Sequence, residues 1–409
     1  MRIDYLFIFL LCCAQNTFAQ ISGCTDPLAT NYNVAADQND GSCLYQNANV
    51  NPIISWDLPA EAIETSGLLS WNGSIWTHND NTDINLYSID TLSNPAILTG
   101  LNLGALSNFD WEDIDEDSNY IYIGDVGNNG NGNRTDLKFY RIMKNSIIAG
   151  NPEVDTILFS YATQTDFSGT GANNTDYDCE AFIVKGDSIY LFTKEWVANQ
   201  TRVFVIPKSP GTYSANFISQ FNVQGLITGA VYHESPELIS LCGYSETLQP
   251  FVYLLYDFNG NNFFSGNKRR IGVNLSFHQV EGITTEDGLT FFLSNEKFQQ
   301  SILTTNQKLH RFDFSPFLAS YIYGLGMNEQ TLKGINIYPN PAEDEVVIAC
   351  PQDYIGKTFT IFNSKGQIVE SSTIQSTETR LRISTWSTGL SYFLSIENSK
   401  PQTIQFLKE

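Results

Sequence analysis

One short pattern returns five times in this chain, and a closed repeat of that size leaves few folds open. It is clearest at Asp110-Trp111-Glu112-Asp113-Ile114, and Thr65-Ser66-Gly67-Leu68, Cys179-Glu180-Ala181-Phe182, Ile227-Thr228-Gly229-Ala230 and Val280-Glu281-Gly282-Ile283 align with it. In each, an oxygen-bearing side chain precedes one residue, usually small, and then an apolar one. A second apolar run begins nine residues after the marker in four repeats and ten in the fourth, at Ile75-Trp76, Ile121-Tyr122, Ile189-Tyr190, Leu238-Ile239 and Thr290-Phe291. A third run closes each unit, as in Leu86-Tyr87-Ser88-Ile89 or Val252-Tyr253-Leu254-Leu255. The markers Ser66, Glu112, Glu180, Thr228 and Glu281 are spaced by 46, 68, 48 and 53 residues. Units of about fifty residues with three recognisable strands and room for a fourth predict β-propeller blades. The expectation is an all-β chain with a five-bladed β-propeller over residues 51–325. The long second interval, around Thr163 to Asp176, reads as an insertion, with a sixth blade there as the competing topology.

Composition agrees with strands: 20 Tyr and 27 Phe, in runs bounded by Asn, Gly, Asp and Ser. Acidic residues number 44 against 22 basic ones, a net charge of -22, which argues against nucleic acid as a partner. An acidic surface is either simply solvated or collects divalent cations. Arg2, the apolar run Tyr5 to Cys13 and Thr17-Phe18-Ala19 read as a signal peptide over residues 1–19. Leu11-Cys12-Cys13 makes only a poor lipoprotein site, and no later run approaches the ~20 apolar residues of a transmembrane anchor. Cys24 and Cys43 bracket a small module, residues 20–46, too short to own a core, so a disulfide between them is expected. Whether Cys179 pairs with Cys242 is left open by the sequence. Asp37, Asn39, Asp40 and Gly41 form either part of a calcium loop or an Asx-rich turn. The module itself resembles a short disulfide unit of exported Bacteroidetes proteins.

After a linker at 326–334, Ile335-Asn336-Ile337-Tyr338-Pro339-Asn340-Pro341 opens a segment of alternating strands that predicts a small β-sandwich over 335–409. Together with Asn363-Ser364-Lys365-Gly366 and Gly389-Leu390-Ser391-Tyr392-Phe393, it resembles the type A C-terminal sorting domain of type IX secretion cargo. That resemblance implies a partner in the type IX machinery and a secreted or outer-membrane-surface location.

The first strand of a propeller blade lines the channel, so five markers in one register would converge on the axis. Three carboxylates there need a positive charge or protons, and calcium accepts carboxylate, hydroxyl and carbonyl oxygen together. Hydrated polar rings are the alternative. The repeat region is similar to calcium-activated nucleotidase, the soluble apyrase family, in motif order and spacing. The resemblance implies an axial, structural calcium on Ser66, Glu112, Glu180 and Glu281, with Thr228 standing where a serine is expected. For Glu112 to face the axis while Ile114, two residues on, enters blade packing, the strand must bulge near Asp113.

Second-strand ends should border the mouth nearest the ion, which nominates His78, Asp80, Asp125, Lys194, Glu195, Trp196, Asn295 and Glu296 for ligand contact. Two function classes follow. The mouth captures a small ligand, an extracellular glycan or a protein, or it hydrolyses a substrate. Hydrolysis would use Lys194 or Arg134 on a phosphate, or Asp80, Asp125 and Glu195 as glycosidase acids. Thr77-His78-Asn79-Asp80 departs from the acidic-arginine turn that the nucleotidase resemblance would require.

Overall fold

The computed structural model describes residues 20–104, 106–300, 303–322, 335–363, 368–388, 390–396 and 403–408. The expected signal peptide and linker lie outside them. Strands β1 (Ser22–Gly23) and β2 (Gln38–Asn39) form the small module, closed by the Cys24–Cys43 disulfide with Cα atoms 4.8 Å apart. Its acidic loop turns inward on its own backbone: Asp37 accepts from the Ile21 N–H at 2.8 Å, Asn39 from Gly41 at 2.9 Å and Asp40 from Ser42 at 3.0 Å. The last two are Asx turns.

Next come β3 (Ala48–Val50) and β4 (Ile54–Asp57). A first sheet follows, with β5 (Thr65–Trp71), β6 (Ser74–Asn79), β7 (Asn85–Asp90) and β8 (Ile97–Asn102) in sequence order. Asn72 and Gly73, both at positive φ, make the two-residue turn between β5 and β6 that the strand twist favours. A second group holds β9 (Trp111–Glu116), β10 (Tyr120–Asp125), β11 (Lys138–Met143), the short helix α1 (Lys144–Ile148) and β12 (Val154–Tyr161). A third holds β13 (Asp178–Lys185), β14 (Ser188–Lys194), β15 (Thr201–Pro207) and β16 (Gly211–Phe221). The outer strands β12 and β16 pair in parallel, merging these two groups into one eight-stranded sheet.

A fourth group, a sheet of its own, runs β17 (Leu226–His233), β18 (Leu238–Tyr244), β19 (Pro250–Tyr256) and β20 (Asn267–Val273), with β3 added in parallel at its edge. The last sheet takes β21 (Val280–Thr285) and β22 (Thr290–Asn295), skips the hairpin β23 (Phe298–Gln300) and β24 (Leu303–Thr305), and adds β25 (Lys308–Asp313). Its fourth strand is β4, from the beginning of the chain. A strand borrowed from the far end of the sequence makes closure depend on β-pairing, and helix α2 (Ser315–Ile322) follows.

A separate buried apolar cluster lies between each successive pair of these sheets, including Trp56 and Leu309 of the last against Leu68 and Ile89 of the first. Both faces of most sheets are therefore covered. This explains why Pro250–Tyr256 is buried at every position and reads as a continuous apolar run. The arrangement is all-β and propeller-like. Beyond it, a three-stranded sheet of β26 (Asn336–Tyr338), β27 (Glu345–Ala349) and β30 (Glu378–Arg382) shares one buried cluster with a four-stranded sheet. That second sheet has β28 (Thr358–Asn363), β29 (Ile368–Thr373), β31 (Leu390–Ile396) and β32 (Thr403–Lys408). Cys350 belongs to this cluster, while Cys179 and Cys242 are buried free thiols in the sheets before it.

Candidate metal centre

The first strands of the five groups, β5, β9, β13, β17 and β21, lie side by side, and β21 returns beside β5 to close a ring. Each is bulged at its marker. Ser66 with Gly67, and Glu112 with Asp113, oppose single residues of β6 and β10, while Glu180, Thr228 and Glu281 are each the extra residue of their strands. A bulge bends the strand and re-aims a side chain. Glu112 thus joins the acidic centre, and Ile114, 1% exposed, packs with Leu69, Trp111 and Ile123.

Inner strands are sheet edges, and their unpaired backbone groups must find partners in a buried ring. Ser66 Oγ donates to the Glu112 carbonyl, and Thr228 Oγ1 to the Val280 carbonyl at 2.6 Å. These two hydroxyls, expected on the metal, commit their protons to seams between neighbouring strands. Asp113 spans further: its Oδ2 accepts from the N–H groups of Phe182 at 3.2 Å and Ala230 at 3.1 Å, and its Oδ1 from Ile114 at 2.9 Å. Burial pushes its carboxyl well above the ordinary range, against the pull of those three donors.

Asp113 was not anticipated, although the pattern carries the signal. The equivalent positions are Gly67, Ala181, Gly229 and Gly282. A Cβ at Gly67 would press on the backbone of Asp113 and Ile114, and one at Gly229 or Gly282 on the Glu281 or Ser66 carbonyl. In a ring this tight one repeat alone carries a large side chain there.

Above that layer, carboxylate oxygens of Glu112, Asp178 and Glu180 lie within 4.8 Å of one another. Asp178 accepts from the Asn128 N–H at 2.6 Å and from Trp196 Nε1 at 2.8 Å, and Glu180 is paired with Lys194. The carboxylates of Glu112 and Glu281, residues 5% and 8% exposed, have no hydrogen bond or ion pair among the described residues. Burial first, then the neighbouring carboxylates, raises Glu112 well above the ordinary range; burial likewise dominates for Glu180 and Glu281, with Lys194 opposing it. Asp110, Asp80 and Glu296 flank them, pushed by burial to about 7, about 8 and about 7. A Cβ on Gly127 would collide with the carboxylates of Glu112 and Asp110, so the backbone itself forms one wall of the centre. The donor set, crowded carboxylates of which two have no partner, fits a hard divalent cation.

Asp110 and Asp178 were also not anticipated as members. Both stand two residues before a marker, as does Glu64 before Ser66, an acid recurrence visible in the repeat.

Of the residues expected at the mouth, Asp80, Lys194, Trp196 and Glu296 gather around these acids. The other four are engaged in the fold. His78 is fully buried with its ring edge-on to Trp111 at 5.7 Å, and burial depresses its pKa to about 4. Asp125 is buried between Arg134 at 2.8 Å and Lys138 at 3.0 Å. Glu195 is buried on Arg202 and on the Thr193 hydroxyl. Asn295 accepts from His310 Nε2 at 2.8 Å and donates to the Glu296 and Asn306 carbonyls. For Glu195 and Asn295 strand alternation accounts for this, because Lys194 and Glu296, one residue away, are the side chains that reach the acids. Arg134, expected to meet phosphate, is bound to Asp125, Asp136 and the Gly127 carbonyl and lies over the Phe109 ring at 4.5 Å.

Among solved structures, this chain is similar to PorZ of Porphyromonas gingivalis, a surface component of the type IX secretion system (13% identity, 84% of this chain and 45% of that one, TM-score 0.29). The chain therefore spans less than half of that protein. It is also similar to the calcium-binding regucalcin of Agrobacterium tumefaciens (9%, 66% and 97%, TM-score 0.35). A third is an exo-β-1,3-galactanase of Phanerochaete chrysosporium (11%, 88% and 98%, TM-score 0.38). All three are too remote to transfer a site or an activity. No curated protein matches the chain. Among the described residues no helix is long and apolar enough to cross a membrane. Residues 336–407 match the Secretion system C-terminal sorting domain, and the chain accordingly carries a type IX sorting tail and is exported to the cell surface or the extracellular space.

Proposed function

We propose that the chain is an exported, calcium-stabilised five-bladed β-propeller that binds an extracellular glycan, protein or small ligand at the mouth of its channel. Its C-terminal segment, a β-sandwich over 335–409, serves as the export address, and residues 20–46 dock as a disulfide module. The observation that carries the metal reading is the pair of buried, unpartnered carboxylates, Glu112 and Glu281, beside Asp178 and Glu180. Glu112, Asp178 and Glu180 would hold the ion, with Glu281 and Asp110 adjacent. When bound, calcium supplies positive charge that relieves carboxylate repulsion and locks inner strands together. The acidic marker positions are also where the chain resembles calcium-activated nucleotidase.

Binding is favoured over hydrolysis because the two cations expected to meet phosphate, Arg134 and Lys194, are both committed to carboxylates. Asp125 and Glu195, nominated as glycosidase acids, are likewise buried in ion pairs.

Calcium at about 100 times its dissociation constant is expected to stabilise the purified protein by about 2.7 kcal/mol, read as a rise in melting temperature. Glu112→Gln should lose most of that rise while remaining folded. Absence of any calcium response in the unaltered protein would defeat the metal reading. Turnover of nucleotides or oligosaccharides that depends on calcium would defeat the binding reading. Deleting residues 336–407 is expected to leave the protein inside the outer membrane, scored by fractionation of the cells that make it.

A further inference from the structure

The acidic centre contains a cation of its own. Lys194, at the end of β14, is 4% exposed and its ammonium sits on the Glu180 carboxylate. It also faces the rings of Trp196 at 4.6 Å and Tyr244 at 5.4 Å. Both rings are themselves fixed: Trp196 Nε1 donates to Asp178 at 2.8 Å, and Gln279 donates to the Tyr244 hydroxyl at 3.1 Å. Two aromatic faces and a carboxylate form an ammonium cage. Glu112 and Glu281 face the same centre without partners, so one internal positive charge leaves the cluster still in deficit.

We propose that Lys194 is a built-in counter-ion that competes with a divalent cation for Glu180 and thereby sets the affinity of the axial site. This rests on the calcium reading of the same centre. The side chain blocks part of the cluster and repels an incoming ion, while its pairing with Glu180 keeps the calcium-free ring from carrying an uncompensated buried charge. The result is a site that folds without metal and takes calcium weakly. Weak affinity suits a protein outside the cell, where extracellular calcium modules bind at roughly 0.1–1 mM.

The test uses the full chain and calcium alone, with the midpoint of thermal stabilisation as readout. Lys194→Met keeps the apolar stem in the aromatic cage and removes the charge. It is expected to lower the calcium midpoint by about tenfold or more, and to lower the melting temperature without calcium. Should that variant fail to fold without metal, Lys194→Met combined with Glu180→Gln removes both charges. The double variant is expected to fold and to bind calcium within about threefold of the unaltered protein, because Glu112, Asp178 and Glu281 remain. A folded Lys194→Met protein with an unchanged or higher midpoint overturns the proposal, as does loss of the calcium response in the double variant. No calcium response in the unaltered protein removes the metal reading itself, an outcome distinct from either.

Discussion

Asp113→Ala should be the most damaging single substitution in the ring, lowering stability by about 4 kcal/mol. Its carboxylate is the acceptor for backbone N–H groups of Phe182 and Ala230, which belong to the third and fourth groups of strands, and it also accepts from the Ile114 N–H within its own strand. Each buried donor left without a partner costs about 1–3 kcal/mol, and the void left among three strands adds to that. The ring cannot collapse to fill it, because Gly67 already touches the backbone of Asp113 and Ile114. For a unit of this size the loss corresponds to a fall of roughly 10 °C in melting temperature. Asp113→Asn keeps one acceptor oxygen and the volume, so it should cost less than half as much. Equal losses for Ala and Asn would point to the charge, and a loss below about 1 kcal/mol for Ala would remove Asp113 from the role of central tie.

Much of this architecture was legible because the repeat reports the inner strands directly. Their period fixed where Glu112, Glu180 and Glu281 would converge, and the clash between Glu112 and Ile114 called for the bulge that every inner strand has. What escaped reading depends on contacts between repeats. Asp113 looks like a variant of a small-residue position until the closeness of Gly67, Gly229 and Gly282 to neighbouring backbone is known. His78, Asp125, Glu195 and Asn295 carry the chemistry of a ligand site, yet each is buried on partners from other strands or turns. The parallel pairing of β12 with β16 has no local signature either, since it joins outer strands across the insertion. The same physics governs all of these: a strand's pattern specifies which way a side chain points, while the neighbour that meets it is set by closure of the ring.

Between about pH 6.5 and 8 the calcium-free protein is expected to lose stability, and saturating calcium should remove most of that slope. Asp80 and Glu296 decide the sign. Burial is the largest cause of their shifts, followed for Asp80 by the charges of Glu296 and Glu64, and their carboxyls reach about 8 and about 7. Unfolded carboxyls titrate near 4, so in this window the folded state holds more protons than the unfolded one, and stability must fall as pH rises through the folded values. His78 and His310 are shifted the opposite way, to about 4 and about 3, chiefly by burial. Their contribution is fully present above the unfolded histidine value of about 6.5 and is lost only toward acid, so it does not mask the carboxylates in this window. Each carboxyl changes stability by at most about 1.4 kcal/mol per pH unit, and partial exposure reduces this, so a fall of a few degrees in melting temperature is expected. A divalent ion at the adjacent centre favours the ionised forms, so its stabilising effect must grow with pH and its binding must release protons. Melting curves at several pH values, with calcium and with chelator, test both halves. Parallel slopes in the two conditions would mean that the flanking carboxyls do not sense the ion, and would place calcium, if it binds, away from the ring of Glu112, Glu180 and Glu281.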